Sequence, residues 1–317
     1  MNTETKDISL LPDLCAVVIL YNPDSIGLEK IISNIESYSN YIKKTYIIDN
    51  SQNENQKIIE HFPNAFYYLN KNHNGIAGAQ NIGCEKALEY GFSWCMTMDQ
   101  DSSIPFSVLK EYLLAFKKYS ALDKKIVSFS MKGIRTKETL SLTKIIRLKI
   151  LSPLKRIILK NAGVQIKFRT EPDISYPEFL VTASSNIISL DVWKKIGKFD
   201  ETLFIDQVDN DFTIRLTKDG YKSIRFNKII FEHNIGEQKF SIFSKFHEYY
   251  SSFRLFYIFR NHMIMLNRYP DYSWYYKKTL KEFFIDNCIH SFCFIRNLII
   301  FFKAKKAFKQ YIMEPNK

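Results

Sequence analysis

Glycine and proline are scarce, 10 and 9 in 317 residues. That scarcity excludes collagen-like, linker-rich and repeat-turn architectures. The five cysteines, Cys15, Cys84, Cys95, Cys288 and Cys293, include no C-x-x-C pair. They give neither a disulfide framework nor a zinc site, and they fit a reducing compartment. No apolar run reaches the roughly 18 residues that a membrane-spanning helix needs. The best stretch, 288–302, is broken by His290, Arg296 and Asn297. The opening MNTETKDISLLPD lacks a basic start followed by an apolar core, so a cytoplasmic protein without a signal peptide is expected. Neither G-x-x-x-x-G-K-[ST] nor G-x-G-x-x-G occurs, which removes the main support for kinase-like and dinucleotide-binding chemistry.

What is present is apolar, aromatic and basic. Hydrophobic residues make up 46% of the chain and charged ones 25%, enough to bury a sizeable core and to exclude disorder as the main state. The length suits one large domain or two modest ones. A net charge of +12 directs the surface toward polyanions, anionic lipid or phosphorylated substrates.

The first third alternates strand and helix. Cys15–Leu20 is a short β-branched run that suits a buried parallel strand. Ile31, Ile35 and Tyr38 share one face of a helix over about 26–40. Strands are expected at Thr45–Ile48, Phe66–Leu69 and Phe92–Met98, with a helix from Ala77 to Tyr90 ending at Gly91. This rhythm predicts an α/β fold with a mostly parallel sheet and ligands at the carboxyl ends of its strands. Further on, Val181–Ser189 reads as a strand, Leu190–Lys198 as a short helix and Tyr221–Phe231 as a late strand.

Two segments are basic and apolar together. Lys144–Lys160 holds six basic residues, nine Ile or Leu and no acid. It reads either as a helix or hairpin packed by its apolar face or as a patch facing anionic lipid. The tail, 241–317, reads as helical and carries 13 Lys and Arg against 5 Asp and Glu. Aromatic rings interleaved with long basic stems suit a headgroup boundary, although part of this segment must cap the main domain. Nucleic acid is not expected as a partner, because the charge mixes with apolar residues and no recognised module is present.

Three places can carry chemistry. Asp99 and Asp101 follow the fourth strand, where two carboxylates suit Mg²⁺ or Mn²⁺ bridging a diphosphate. Asp206, Asp209 and Asp211 crowd within six residues and need a cation or a hydrogen-bond network. Asp211 can pair with Arg215 one turn on. Asp209 can either sit against the helix dipole or take a proton from an attacking hydroxyl. His233 follows a strand and is either a hydrogen-bonded structural residue or a metal ligand. Asp49 either starts a turn or accepts the N3–H of a pyrimidine. His73 reads as a loop residue.

The stretches VVILYNPD (17–24), IIDNSQNE (47–54), NHNGIAGAQNIG (72–83), MTMDQDS (96–102), ASSNIISLDVWKKIGKFDETLFIDQVDNDFTIRL (183–216) and FEHNIG (231–236) occur in this order. A weaker echo follows in RLFYIFRNHMIML (254–266). Together they resemble family 2 glycosyltransferases of the GT-A fold, and within them the bacterial rhamnosyltransferase-like branch.

The resemblance implies a GT-A nucleotide-sugar-binding and catalytic domain, taken as 1–240; the helical, basic segment 241–317 follows it, and its composition suits association with a membrane surface. The resemblance also implies Asp49 at the donor pyrimidine and Asn74, Gly75 and Asn81 along the nucleotide loop. Asp99 and Asp101 are implied at the ribose and the diphosphate-bound Mg²⁺ or Mn²⁺, with His233 completing the metal site and Asp209 as general base. The implied reaction is inverting transfer of a sugar, L-rhamnose from dTDP-rhamnose, to a lipid-diphosphate-linked saccharide of a surface polysaccharide or O-antigen. Two alternatives stand beside it: another donor such as UDP-galactofuranose, UDP-galactose or UDP-glucose, and a non-catalytic membrane-peripheral nucleotide-binding protein. One departure concerns specificity. Related chains often read Ser-Gly-Asn where this one has Ser184-Ser185-Asn186, which would put a Ser185 side chain near the floor of the sugar site.

Overall fold

The apolar run that begins at Leu14 lies at the centre of the sheet. The structure, a computed structural model, describes residues 11, 13–134, 172–179, 181, 184–233, 238–239, 247–248, 250–289 and 293–314. Strand β1 (Leu14–Leu20) is buried along its whole length and pairs in parallel with β2 (Thr45–Asp49) and β4 (Trp94–Asp99). β3 (Ala65–Leu69) adds in parallel beyond β2. Leu14, Ala16, Val18 and Leu20 enter one core, with Ile31, Ile35 and Tyr38 of α1 (Ser25–Ser39). Cys15, Val17 and Ile19 enter the other, with α2 (Gly75–Glu89). A strand covered on both faces has no polar side to keep, hence its unbroken apolar sequence. A Cβ on Gly83 would come within 2.3 Å of Val17 Cγ1, so the glycine lets α2 lie close on β1.

Beyond β4 the sheet becomes mixed. The strand order is β3-β2-β1-β4-β8-β6-β9-β5, made with β6 (Ile126–Ile134), β8 (Asn186–Ser189), β9 (Lys222–His233) and the two-residue β5 (Ser102–Ser103). β8 runs antiparallel between β4 and β6, β6 and β9 are parallel, and β5 runs antiparallel along β9. β7 (Ile174–Ser175) also pairs with β9, and β10 (Gln238–Lys239) pairs with β11 (His247–Glu248) in a separate small ladder.

The expected elements from 15 to 99 are present within a few residues. Two others are shorter than expected. The strand expected over 181–189 covers only 186–189, because Ser184 and Ser185 form a turn with Ser185 at φ 68°. The helix expected over 190–198 is α4 (Leu190–Lys195), which stops before Gly197 and Lys198, both left-handed at φ 95° and 63°. α3 (Phe106–Leu122) and β6 carried no assignment from sequence. The basic segment 144–160 lies outside the described residues.

From Ser252 on, the described residues of the tail are mainly helical, as expected, after the two-residue strand at His247–Glu248. α5 (Val208–Lys218) precedes β9, and the tail itself comprises α6 (Ser252–Arg268), α7 (Ser273–Phe284), a π-turn at Ile285–Ile289 and α8 (Phe294–Met313). Leu255, Phe259, Met263, Cys288, Ile300 and Ala304 give these helices a small core of their own. Met265, Tyr269 and Tyr276 form another with Ile214 of α5. The tail therefore packs on the helix that carries Asp209.

Candidate active site

Asp99 is the last residue of β4, at the carboxyl end of the parallel half of the sheet. Gln100 turns back and bonds the β1–α1 loop: its Oε1 accepts from Tyr21 N at 2.7 Å and its Nε2 donates to Tyr21 O at 3.0 Å. β5 follows at once and sets Ser102 opposite His233 on β9. The buried Ser102 Oγ lies 2.7 Å from His233 Nδ1 and 2.6 Å from Ser184 Oγ. A sheet edge thus brings the 132-residue separation of Asp101 and His233 down to 3.4 Å between Oδ1 and Nδ1.

Asp99, Asp101 and His233 each offer a ligand atom, and these atoms lie within 4.8 Å of one another. Asp101 Oδ1 is buried and accepts no hydrogen bond among the described residues. Buried acceptors are nearly always satisfied, and among the described residues this one has only the 3.4 Å approach of His233 Nδ1. Desolvation and then Asp101 raise the Asp99 carboxyl, against the opposing pull of His233 and Arg254, to about 6. Two carboxylates that repel each other beside an imidazole fit a divalent cation with oxygen and nitrogen ligands.

The second acid cluster is treated differently. Phe204, Asp206 and Gln207 all hold left-handed backbone, at φ 64°, 62° and 69°, just before α5. Such geometry costs about 1–2 kcal/mol per residue and persists only where surrounding contacts enforce it. Here α6 enforces it. Asn261 Nδ2 lies 2.7, 2.7 and 2.9 Å from the carbonyl oxygens of Leu203, Ile205 and Asp206. Arg260 donates to Thr202 O and Leu203 O, and Arg254 grips Asp206 through Nε and Nη2 at 3.2 and 3.0 Å. Arg268 bonds both Asp200 and Asp211, and Asp211 also takes bonds from Arg215 and Tyr269. The pairing of Asp211 with Arg215 is the one its spacing predicts. Asp209 occupies the first turn of α5, half-buried, three residues after Asp206. Arg254 acts on both clusters, because it binds Asp206 and its charge reaches Asp99.

The remaining expected site residues have these surroundings. Asp49 is fully buried, and its carboxylate accepts from Ser51 N at 2.8 Å, Asn55 Nδ2 at 2.8 Å and Tyr67 OH at 2.6 Å. Burial pushes its pKa up, but these bonds outweigh burial and hold it below the ordinary carboxylate value. Asn81 bonds Glu201 Oε1 and both backbone groups of Phe199, and Asn74 bonds the same Glu201. Gly75, at φ 63°, leaves room for the Phe204 carbonyl, which a Cβ would meet at 2.3 Å. That carbonyl accepts from Ile76 N at 2.8 Å and so caps α2. The NHNGIAGAQNIG stretch therefore docks residues 199–204, the approach to Asp209. His73 is an exposed loop residue, as expected.

Two further placements bear on the sequence reading. Ser185 is wholly buried, and its Oγ accepts from Met131 N at 3.4 Å. The charge of the tail does not all face outward. Arg254, Arg260 and Arg268 turn in to the 200–211 loop, while Lys303, Lys305, Lys306 and Lys309 are exposed. Arginine forks suit fixed carboxylates and carbonyls, and lysines suit solvent. Sequence reasoning missed Ser102, Ser184, Arg254, Asn261 and Arg268. The available signal was Asn261-His262 inside the otherwise apolar YIFRNHMIML run, because a polar pair on the buried face of a helix must bond something.

The family described as Glycosyl transferase family 2 matches residues 15–172. The dTDP-rhamnosyl transferase RfbF of Shigella flexneri is 26% identical over 259 residues, covering 81% of this chain and 80% of that protein. The crystal structure of S. aureus TarS aligns with a TM-score of 0.50 at 11% identity, over 80% of this chain and 39% of that one. That of GalNAc-T7 with UDP, GalNAc and Mn²⁺ aligns at 0.49 and 12%, over 72% and 44%. The chain thus spans less than half the length of either solved structure, and the TarS likeness speaks for the fold alone. The family match begins on the strand that anchors the sheet, and the likeness to RfbF extends over most of both chains. On these grounds the chain belongs to the family 2 glycosyltransferases and is rhamnosyltransferase-like.

Proposed function

We propose that the chain is an inverting, metal-dependent glycosyltransferase that moves L-rhamnose from dTDP-rhamnose onto a lipid-diphosphate-linked saccharide in surface polysaccharide or O-antigen assembly. The observation that carries this reading is the clustering of Asp99, Asp101 and His233, with a buried Asp101 oxygen that accepts no hydrogen bond among the described residues, at the strand ends where α/β sheets bind ligands. The donor sugar follows the name of the Shigella relative.

Mg²⁺ or Mn²⁺ held by Asp99, Asp101 and His233 would supply positive charge opposite the departing diphosphate. Arg254, already felt by Asp99, adds a fixed cation on the same side. Asp99 also serves the ribose, and Asp49 orients the pyrimidine. Asn74, Gly75 and Asn81 shape the nucleotide loop through their hold on residues 199–204. Asp209 takes the acceptor hydroxyl proton while that oxygen attacks the anomeric carbon opposite the diphosphate, which inverts the centre. Asn261 and Arg254 fix the turn before Asp209, so the base is placed before substrate arrives. A lipid-linked acceptor sets the enzyme at the cytoplasmic face of a membrane, with residues 1–240 catalytic and 241–317 the side toward lipid.

A panel of nucleotide sugars, assayed with Mn²⁺ and in chelator, tests the reading. Turnover should be highest with dTDP-L-rhamnose. Asp209→Asn should keep donor binding and lose about 10²–10⁴-fold in transfer. Asp101→Ala should lose the metal-stimulated activity. Wild-type turnover in Asp209→Asn removes that residue from the mechanism, and full activity in chelator removes the metal.

A further inference from the structure

α8 is apolar on two opposite sides. Its inner side buries Asn297, Ile300 and Ala304 against α6, with Phe308 and Tyr311 continuing onto the main core. Its outer side leaves Ile295, Ile299, Phe302 and Met313 exposed by 63, 51, 62 and 78%. At about 100° per residue these four fall in a single arc facing away from the buried residues. Lys306 and Lys309 lie in the same arc, and Lys303 and Lys305 lie on its two borders. All four lysines are exposed, and no acid occurs between 294 and 313.

Single exposed apolar residues need no explanation, but a stripe of four along one helix does. Its composition separates the possible occupants. Cores of protein interfaces are depleted in lysine, whereas here lysines are threaded through the apolar stripe. Nucleic acid would select a hydrophilic basic face without bulky aliphatics. Lysine stems instead let Ile and Phe side chains sink below the headgroups while the amines remain among anionic phosphates. None of the described helices is long and apolar enough to cross a membrane, so such a helix lies in the surface plane.

We infer that the outer face of α8, formed by Ile295, Ile299, Phe302 and Met313 with Lys303, Lys305, Lys306 and Lys309, docks the protein on an anionic lipid bilayer. This deepens the membrane contact proposed above, and rests on that reading only for its purpose. The contact is separate from catalysis, since no residue of this face belongs to the candidate active site.

Sedimentation of the full chain with phosphatidylcholine vesicles, with and without phosphatidylglycerol, tests the inference. The wild type should sediment only with the anionic vesicles and be released by high salt. Ile299→Glu with Phe302→Glu, and separately Lys303→Glu with Lys306→Glu and Lys309→Glu, should each weaken binding about tenfold or more. Both variants change exposed side chains, so circular dichroism and melting temperature should match the wild type. Metal-dependent hydrolysis of a nucleotide sugar in solution should also be unchanged. Vesicle binding that survives both variants overturns the inference, as does no binding by the wild type. A lipid-free dimer that the Ile299→Glu, Phe302→Glu variant abolishes overturns it in favour of a second copy of the chain. Absence of hydrolysis in the wild type would count against the transferase reading and leave the vesicle result to stand by itself.

Discussion

The carboxylates at 99–101 and those at 200–211 belong to one protein and meet opposite treatment. Asp200, Asp206 and Asp211 are each matched to an arginine of α6, and Asp211 to Arg215 as well. Asp99 and Asp101 face each other with a histidine, and one of their buried oxygens has no hydrogen bond among the described residues. The pKa values follow. Desolvation and Asp101 raise Asp99 to about 6. Burial also pushes Asp200 up, but bonds from Thr202 and Arg268 bring it below its ordinary value. An acid whose neighbours neutralise it holds the fold, and an acid left to repel another acid is waiting for a cation.

That contrast can be broken at several points. The largest effect is expected at Asp211, which is wholly buried among Arg215, Arg268 and Tyr269. Asp211→Ala takes from Arg215 its carboxylate and from Arg268 one of its two, and should cost about 3–5 kcal/mol of stability, read by denaturant unfolding. A divalent cation should act at the other cluster. Mn²⁺ at about 100 times its dissociation constant should stabilise the wild type by about 2.7 kcal/mol, and should add nothing to Asp101→Ala. If that variant gains as much as the wild type, the metal binds elsewhere.

A smaller effect separates the clusters by pH. Because the pKa of Asp200 is lower in the folded chain than its ordinary 3.8, its contribution is complete above that value and fades as pH falls through the folded pKa. The stability gap between wild type and Asp200→Asn should therefore be full at neutral pH and close in acid. A gap that widens in acid would reverse the assignment. Smallest of all is Ser185→Gly. It relieves a left-handed residue at φ 68° and loses one 3.4 Å bond, so unfolding should report a change within about 1 kcal/mol, on the stabilising side.

Much of the first hundred residues was legible because each element there is written locally. β1 is apolar throughout, Asp24 caps α1 by accepting from Gly27 N, and Ile31, Ile35 and Tyr38 recur at helical spacing. Asp99 and Asp101 stood out because they follow a strand. Spacing paired Asp211 with Arg215 but could not separate Asp206 from Asp209 by role. What distinguishes them is the set of cations that arrives from 254 and 268, and only tertiary packing delivers those. The same holds for β8, whose four residues enter the sheet antiparallel and break its parallel rhythm. The basic tail looked uniform because composition counts arginine and lysine alike, whereas folding sends the arginines of α6 inward and the lysines of α8 outward.

One side-chain amide limits how far this protein can be trimmed. Asn261 Nδ2 serves the carbonyl oxygens of Leu203, Ile205 and Asp206 from a helix that starts only at Ser252. A polypeptide ended at residue 240 would keep every strand of the main sheet and yet lose the brace on the segment leading into Asp209. Anyone seeking a better-behaved enzyme should replace lysines and isoleucines on the outside of the last helix and leave the chain at full length.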